Sequence, residues 1–145
     1  MATSVAIADV NKDGRADLIV TNQCMDGSCT SGGVSVLLGK ANGTFHQAQS
    51  YATGGLTAVS VAVGSFNGDK KIDLVVANQC QSNGNCNGSL GVLMGNGNGT
   101  FQAPLSIGPS NQWRGIAVGD FNEDGKPDLA AVSYGEPPGL SILFG

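Results

Sequence analysis

The sequence predicts an all-β protein in which one four-stranded antiparallel unit recurs almost three times. Three observations carry this. First, the segment Ala8 to Leu18 returns as Gly64 to Leu74 and again as Gly119 to Leu129, at offsets of 56 and 55 residues. Fixed-period self-similarity of this length marks a repeat architecture. Second, short β-branched runs alternate with clusters of Gly, Asn and Asp, the pattern of strands joined by tight turns. Third, no window keeps apolar residues at helical spacing for ten or more positions, so almost no helix is expected.

The strands follow in order. Val5 to Ala8, Val59 to Gly64 and Ile116 to Gly119 open the three repeats. Leu18 to Thr21, Leu74 to Asn78 and Leu129 to Ser133 come second. Val34 to Leu38, Leu90 to Met94 and Leu140 to Phe144 come third. Gln47 to Tyr51 and Pro104 to Ile107 are more polar and read as an exposed fourth strand. A second block confirms the period: Leu38 to Phe45 matches Met94 to Phe101, and its third copy stops at Phe144-Gly145. Four strands in roughly 50 residues is the size of one propeller blade. The chain therefore reads as a single propeller segment over 1–145, with repeats at approximately 1–55, 56–111 and 112–145. Rings typically need 4 to 8 blades. An open fan leaves two apolar blade faces in water. The expectation is either a piece of a longer protein or a homo-oligomer closed by head-to-tail blade packing. Two copies would give about six blades and three about nine.

Composition narrows the function. Gly fills 23 of 145 positions, and the net charge is -4. No apolar run approaches the ~20 residues of a membrane-spanning helix, so no membrane insertion is expected. A mildly acidic chain is a poor phosphate tracker, so no nucleic-acid partner is expected. With one His (His46) and two Glu, the chain has few groups for acid–base chemistry. It is read as a binding module, not an enzyme.

The acids are not spread evenly. Eight of nine Asp fall in three loops of one form, with oxygen-bearing residues at positions 1, 3, 5 and 9. Position 1 is Asp9, Ser65 or Asp120, and position 3 is Asn11, Asn67 or Asn122. Position 5 is Asp13, Asp69 or Asp124, and position 9 is Asp17, Asp73 or Asp128. Side-chain oxygens at 1, 3 and 5 with a main-chain carbonyl at 7 are how a tight loop wraps calcium. The carbonyls would be those of Arg15, Lys71 and Lys126. A plain Asx-rich turn is the alternative. Three copies of close carboxylates, with no cation evidently directed at them, favour Ca²⁺, about three per chain. The second site is expected to be weaker, because Ser65 replaces a carboxylate and Lys70 stands where Gly14 and Gly125 permit a positive φ.

The segment Val118-Gly119-Asp120-Phe121-Asn122-Glu123-Asp124-Gly125-Lys126-Pro127-Asp128-Leu129-Ala130 resembles the FG-GAP (VCBS) repeat, the calcium-loop blade of integrin α-subunit propellers and of many secreted proteins. Gly95 to Phe101 is similar to that family's turn after the third strand. The resemblance spans essentially the whole chain. It implies a propeller, calcium between the first two strands of each blade, and extracellular work. Some proteins with this repeat resemble lectins that hold sugars between blades. The departures are Ser65, Lys70, Val10 in place of Phe66 and Phe121, and two Cys-bearing insertions.

Those insertions carry Cys24 with Cys29 and Cys80 with Cys86, at equivalent places after the second strand. Local disulfides are favoured, since a hairpin tip holds its ends within reach. They imply an oxidising, secreted setting. A zinc site from all four thiols is the rival. Finally, Gln112, Trp113 and Arg114 precede the third repeat's first strand, at the end opposite its acidic loop. A Trp beside polar groups suits stacking on a sugar or peptide, which makes these three residues a candidate carbohydrate or protein ligand site, but packing between blades is the favoured reading of Trp113.

Overall fold

The computed structural model describes residues 1–25, 30–81, 86–107, 111–134 and 139–145. Every element among them is a β-strand: β1 Ala2–Ala8, β2 Asp17–Asn22, β3 Gly33–Leu37, β4 Gln49–Ala52, β5 Leu56–Gly64, β6 Asp73–Cys80, β7 Ser89–Leu93, β8 Leu105–Ile107, β9 Trp113–Gly119, β10 Asp128–Ser133 and β11 Gly139–Leu143. Each predicted strand lies on one of these. They form three sheets in strict chain order, β1-β2-β3-β4, β5-β6-β7-β8 and β9-β10-β11, with every neighbouring pair antiparallel. Such meanders need only short turns. The sheets stack like partial propeller blades and do not close.

β5 packs on β1 and β2, and β9 packs on β5 and β6. Strand alternation sends neighbouring residues to opposite faces. In β6, Leu74 and Val76 therefore face the first blade, among Ile19, Val34 and Val36. Val75 and Ala77 face the third blade, among Trp113, Leu129 and Ala131. One strand thus serves two cores, which is why all five residues of β7 are buried while β8 is exposed. At the inner edge, the first strand of each blade has a register shift at one place, opposite Thr3, Val59 and Arg114. A bulge there re-aims a side chain.

Candidate functional site

Each acidic loop joins the first two strands of its blade. All three adopt one backbone. The fourth and sixth positions are left-handed in every copy: Lys12 and Gly14, Gly68 and Lys70, Glu123 and Gly125, with φ between 60° and 84°. Lys70 thus takes the conformation its glycine counterparts take, and the second loop exchanges Gly and Lys between the two places. Lys70 leaves the loop backbone as it is in the other copies and bears the strain of a Cβ in that region.

Side-chain oxygens hold the turn. The Asn11 Oδ1 accepts from the Asp13 N–H at 3.1 Å, and the Asp13 Oδ1 accepts from the Arg15 N–H at 3.0 Å. The same pair recurs at Asn67–Asp69–Lys71 and at Asn122–Asp124–Lys126. The position-1 carboxylate adds two more bonds. Asp9 accepts from Asp13 and Gly14, and Asp120 accepts from Asp124 and Gly125. Ser65 makes neither. Its Oγ is buried and has no partner among the described residues.

Position 9 does something different. Asp17, Asp73 and Asp128 are fully buried. In each, one oxygen accepts the N–H of the second loop residue (Val10, Phe66, Phe121) at 2.9–3.0 Å. The other accepts the N–H of a glycine just after the third strand (Gly39, Gly95, Gly145) at 2.8–2.9 Å. This carboxylate ties three strands of a blade at one point. The glycine is required, because a Cβ there would strike the carbonyl of Ala16, Ile72 or Pro127.

The electrostatics correct one expectation: cations do face two of these loops. Arg15 pairs with Asp13, and Lys71 Nζ lies 3.2 Å from Asp69 Oδ2. Burial tends to raise the Asp13 carboxyl. Hydrogen bonds from the Asn11 amide and the Arg15 N–H, with the Arg15 guanidinium, outweigh it and hold the group below the usual carboxylate range. Asp69 is lowered chiefly by the Lys71 N–H, and Asp128 chiefly by the Gly145 N–H. In the third loop Lys126 turns to the Gly145 carbonyl at 3.3 Å, and Asp124 has no ion pair among the described residues.

No three His, Cys, Asp or Glu side chains gather into a metal-holding group among the described residues. The reason is visible: position 3 is an amide, and position 9 turns to the main chain. What remains is an all-oxygen donor set, the kind calcium accepts and softer metals do not. Each oxygen that takes one N–H keeps a second lone pair. The buried, partnerless Ser65 Oγ also suits a cation at that place in the second loop.

The other predicted residues divide. Cys80 and Cys86 form a disulfide, and Cys24 is also disulfide-bonded. Cys29 lies outside the described residues. Trp113 does not present its ring to solvent, as a stacking platform would. It is fully buried in the core between the second and third blades. Ala58, its counterpart in the second repeat, is buried too, and that apolar match was the available signal. The bulge at Arg114 turns this next residue outward, where its guanidinium lies 5.6 Å from the exposed Tyr134 ring. Gln112 accepts the Tyr134 N–H at 2.9 Å. Tyr134 was missed because its partners are distant in sequence.

Two hollows lie between the second and third blades. One is an apolar cavity of about 250 Å³ under β8 and β11, lined by Val75, Val92, Ile107 and Leu143. The matching space between the first two blades is filled by Phe101, edge-on to Tyr51 at 5.5 Å. The other is an open groove of about 540 Å³ walled by the second and third acidic loops, with Ser65, Asn67, Lys70 and Lys126 on its sides.

A family model described as FG-GAP-like repeat matches residues 9–76 and 65–131. The chain belongs to this family of FG-GAP-like repeats. The two matches together cover all three acidic loops. No curated protein matches the chain. The FG-GAP repeat is a binding and adhesion repeat, and the chain has the character of a β-propeller-like interaction module.

Proposed function

We propose that this is a secreted, calcium-stiffened interaction module whose ligand is carbohydrate. Asp9, Asn11 and Asp13 would hold one ion, and Asp120, Asn122 and Asp124 another, each with the carbonyl at position 7 (Arg15, Lys126). Ser65, Asn67 and Asp69 with the Lys71 carbonyl would form a weaker third. Asp17, Asp73 and Asp128 would brace these sites by fixing the loop to its blade. Calcium supplies charge compensation and rigidity, and no catalytic step is assigned. The observation that carries the reading is the conserved geometry of three loops: one backbone with all-oxygen side chains, kept even where Gly and Lys have changed places.

For the ligand, the open groove between the second and third loops sets Ser65, Asn67, Lys70 and Lys126 beside the apolar Phe66 and Pro127, and is walled by two of the proposed calcium loops. A sugar there would depend on calcium. The Arg114–Tyr134 pair favours a second reading, a peptide or sugar held at the opposite end. The disulfide Cys80–Cys86 supports an oxidising compartment.

Calorimetric titration tests the metal directly. Calcium binding with a melting temperature that falls in excess chelator is expected, since an ion that prefers the folded state stabilises it by linkage. No heat and an unchanged melt sink the calcium reading. Ser65→Asp is expected to tighten the weakest of the titrated sites. A glycan array with and without chelator tests the ligand. Chelator-sensitive binding lost in Lys126→Ala places it in the groove, and chelator-insensitive binding lost in Arg114→Ala moves it to Tyr134. No sugar signal leaves an adhesion scaffold.

A further inference from the structure

The large exposed apolar side chains are not scattered. Most of them mark two surfaces, the outward faces of the first and third blades. Each blade has an upstream face, toward the blade before it, and a downstream face, toward the blade after it. In the second blade both are buried. Its upstream face presents Val61, Leu74, Val76, Leu93 and Phe101 to the first blade. The equivalents 56 residues earlier are Val5, Leu18, Val20, Leu37 and Phe45, on a face that no other blade among the described residues covers. Val5 is 60% exposed, and Ile7 beside it 66%.

The downstream face repeats the argument. Val75, Ala77, Leu90 and Val92 of the second blade are buried against the third. By strand register, their counterparts in the third blade are Ala130, Val132, Leu140 and Ile142. Leu140 is 64% exposed and Val132 46%. Phe121, also exposed, is the counterpart of Phe66, which packs in the same core. No Lys, Arg, Asp or Glu stands among these positions on either surface. The residues that a blade of this protein buries are thus the ones these two surfaces expose.

We propose that a second copy of the chain covers both. The downstream face of each third blade seats on the upstream face of the other copy's first blade, and six blades close one ring. Inside the chain an upstream face meets a downstream face twice, and never its own kind. The contact between copies repeats that pairing, so it is heterologous, and two such contacts related by a twofold axis close. Two copies give six blades, inside the usual 4 to 8, while three copies exceed it. The assembly does not depend on the loops holding calcium.

Light scattering of the full chain tests this. The expected mass is twice the 14.6 kDa of one chain. Ile7→Asp and Val132→Asp lie on opposite surfaces of the monomer, and each is expected to halve the mass while the folded circular-dichroism spectrum stays. A wild-type chain at the mass of one copy at every concentration overturns the proposal. So does a mass of three copies, or one that grows without limit. A dimer broken by Ile7→Asp but untouched by Val132→Asp also overturns it, because that pairs two upstream faces. Should either Asp variant fail to fold, Ile7→Thr and Val132→Thr keep the β-branched shape. Each is expected to raise the concentration at which the dimer half-dissociates, and no rise in either overturns the assembly.

Discussion

Two residues in each acidic loop sit in the left-handed region, and this decides what substitution there does. Nothing lies within 4 Å of a Cβ placed on Gly14 or Gly125, so only the backbone resists one. Gly125→Ala is expected to cost about 1 kcal/mol, the strain of an alanine held in that conformation. Urea unfolding measures it. The carboxylates govern the acid limb. Asp13, Asp69 and Asp128 are all held below the ordinary aspartate range in the folded state by hydrogen bonds from main-chain N–H groups and nearby cations. A depressed folded pKa gives stability that is complete above the unfolded pKa and disappears as pH falls through the folded one. The urea midpoint should stay level from neutral pH down to about 5 and then drop below about 4, as carboxylates protonate. A midpoint that rises on acidification would mean these groups repel in the native state. The Asp-x-Asn-x-Asp pattern was legible from spacing alone, because Asx turns are local. The ion pairs to Asp13 and Asp69 were not. Whether a basic side chain at position 7 folds back on position 5 depends on rotamer choice, which sequence does not state.

At the scale of the element, the buried aspartate at position 9 is the joint of each blade. Asp17 accepts two main-chain N–H groups, one from the loop and one from the far end of β3. Asp17→Ala leaves both donors buried and unpartnered, at about 1–3 kcal/mol each. A drop of about 2–5 kcal/mol in chemical denaturation is expected. If these N–H groups find water instead, the loss will be well under 1 kcal/mol. The Cys80–Cys86 bridge closes a short tip beyond β6. The Cys80→Ser/Cys86→Ser double variant is expected to lose about 2 kcal/mol by the loop-closure argument, read as a lower melting temperature in non-reducing buffer. Strand existence and order were readable at this scale, since β-branched runs between turn residues are a local signal. Ends were less so. β5 starts at Leu56 and β9 at Trp113, each a few residues before its predicted start. Pairing partners extended them. Trp113 packs between blades, as its apolar counterpart Ala58 suggested, and the candidate stacking role for its ring falls away; the bulge at Arg114 sets which of these neighbours points inward.

At the scale of the whole molecule, stability resides in the packing between blades rather than within any one. Leu74 is fully buried between the first two sheets. Leu74→Ala is expected to destabilise by about 2–5 kcal/mol, a large part of the roughly 5–15 kcal/mol of a typical domain. Leu140→Ala offers the contrast. In a dilute monomer the exposed Leu140 should contribute within about 0.5 kcal/mol. At concentrations where copies associate, the same change should lower the melting temperature, because association stabilises by mass action. Equal effects at both concentrations would argue that nothing covers this face.

The sequence by itself determined the repeat, the all-β class, the strand order and the three oxygen-lined loops. These rest on short-range rules: alternation, turn chemistry and a period of 56 and 55 residues. Tertiary structure alone decided which face of each strand is buried, that position 9 points to the backbone, and that Trp113 is core while Arg114 meets Tyr134. It also decided that the first and third blades expose the surfaces the second blade hides. The physical reason is common to all of these. They depend on which sheet lies alongside another, and burial is a property of neighbours that a linear pattern does not contain.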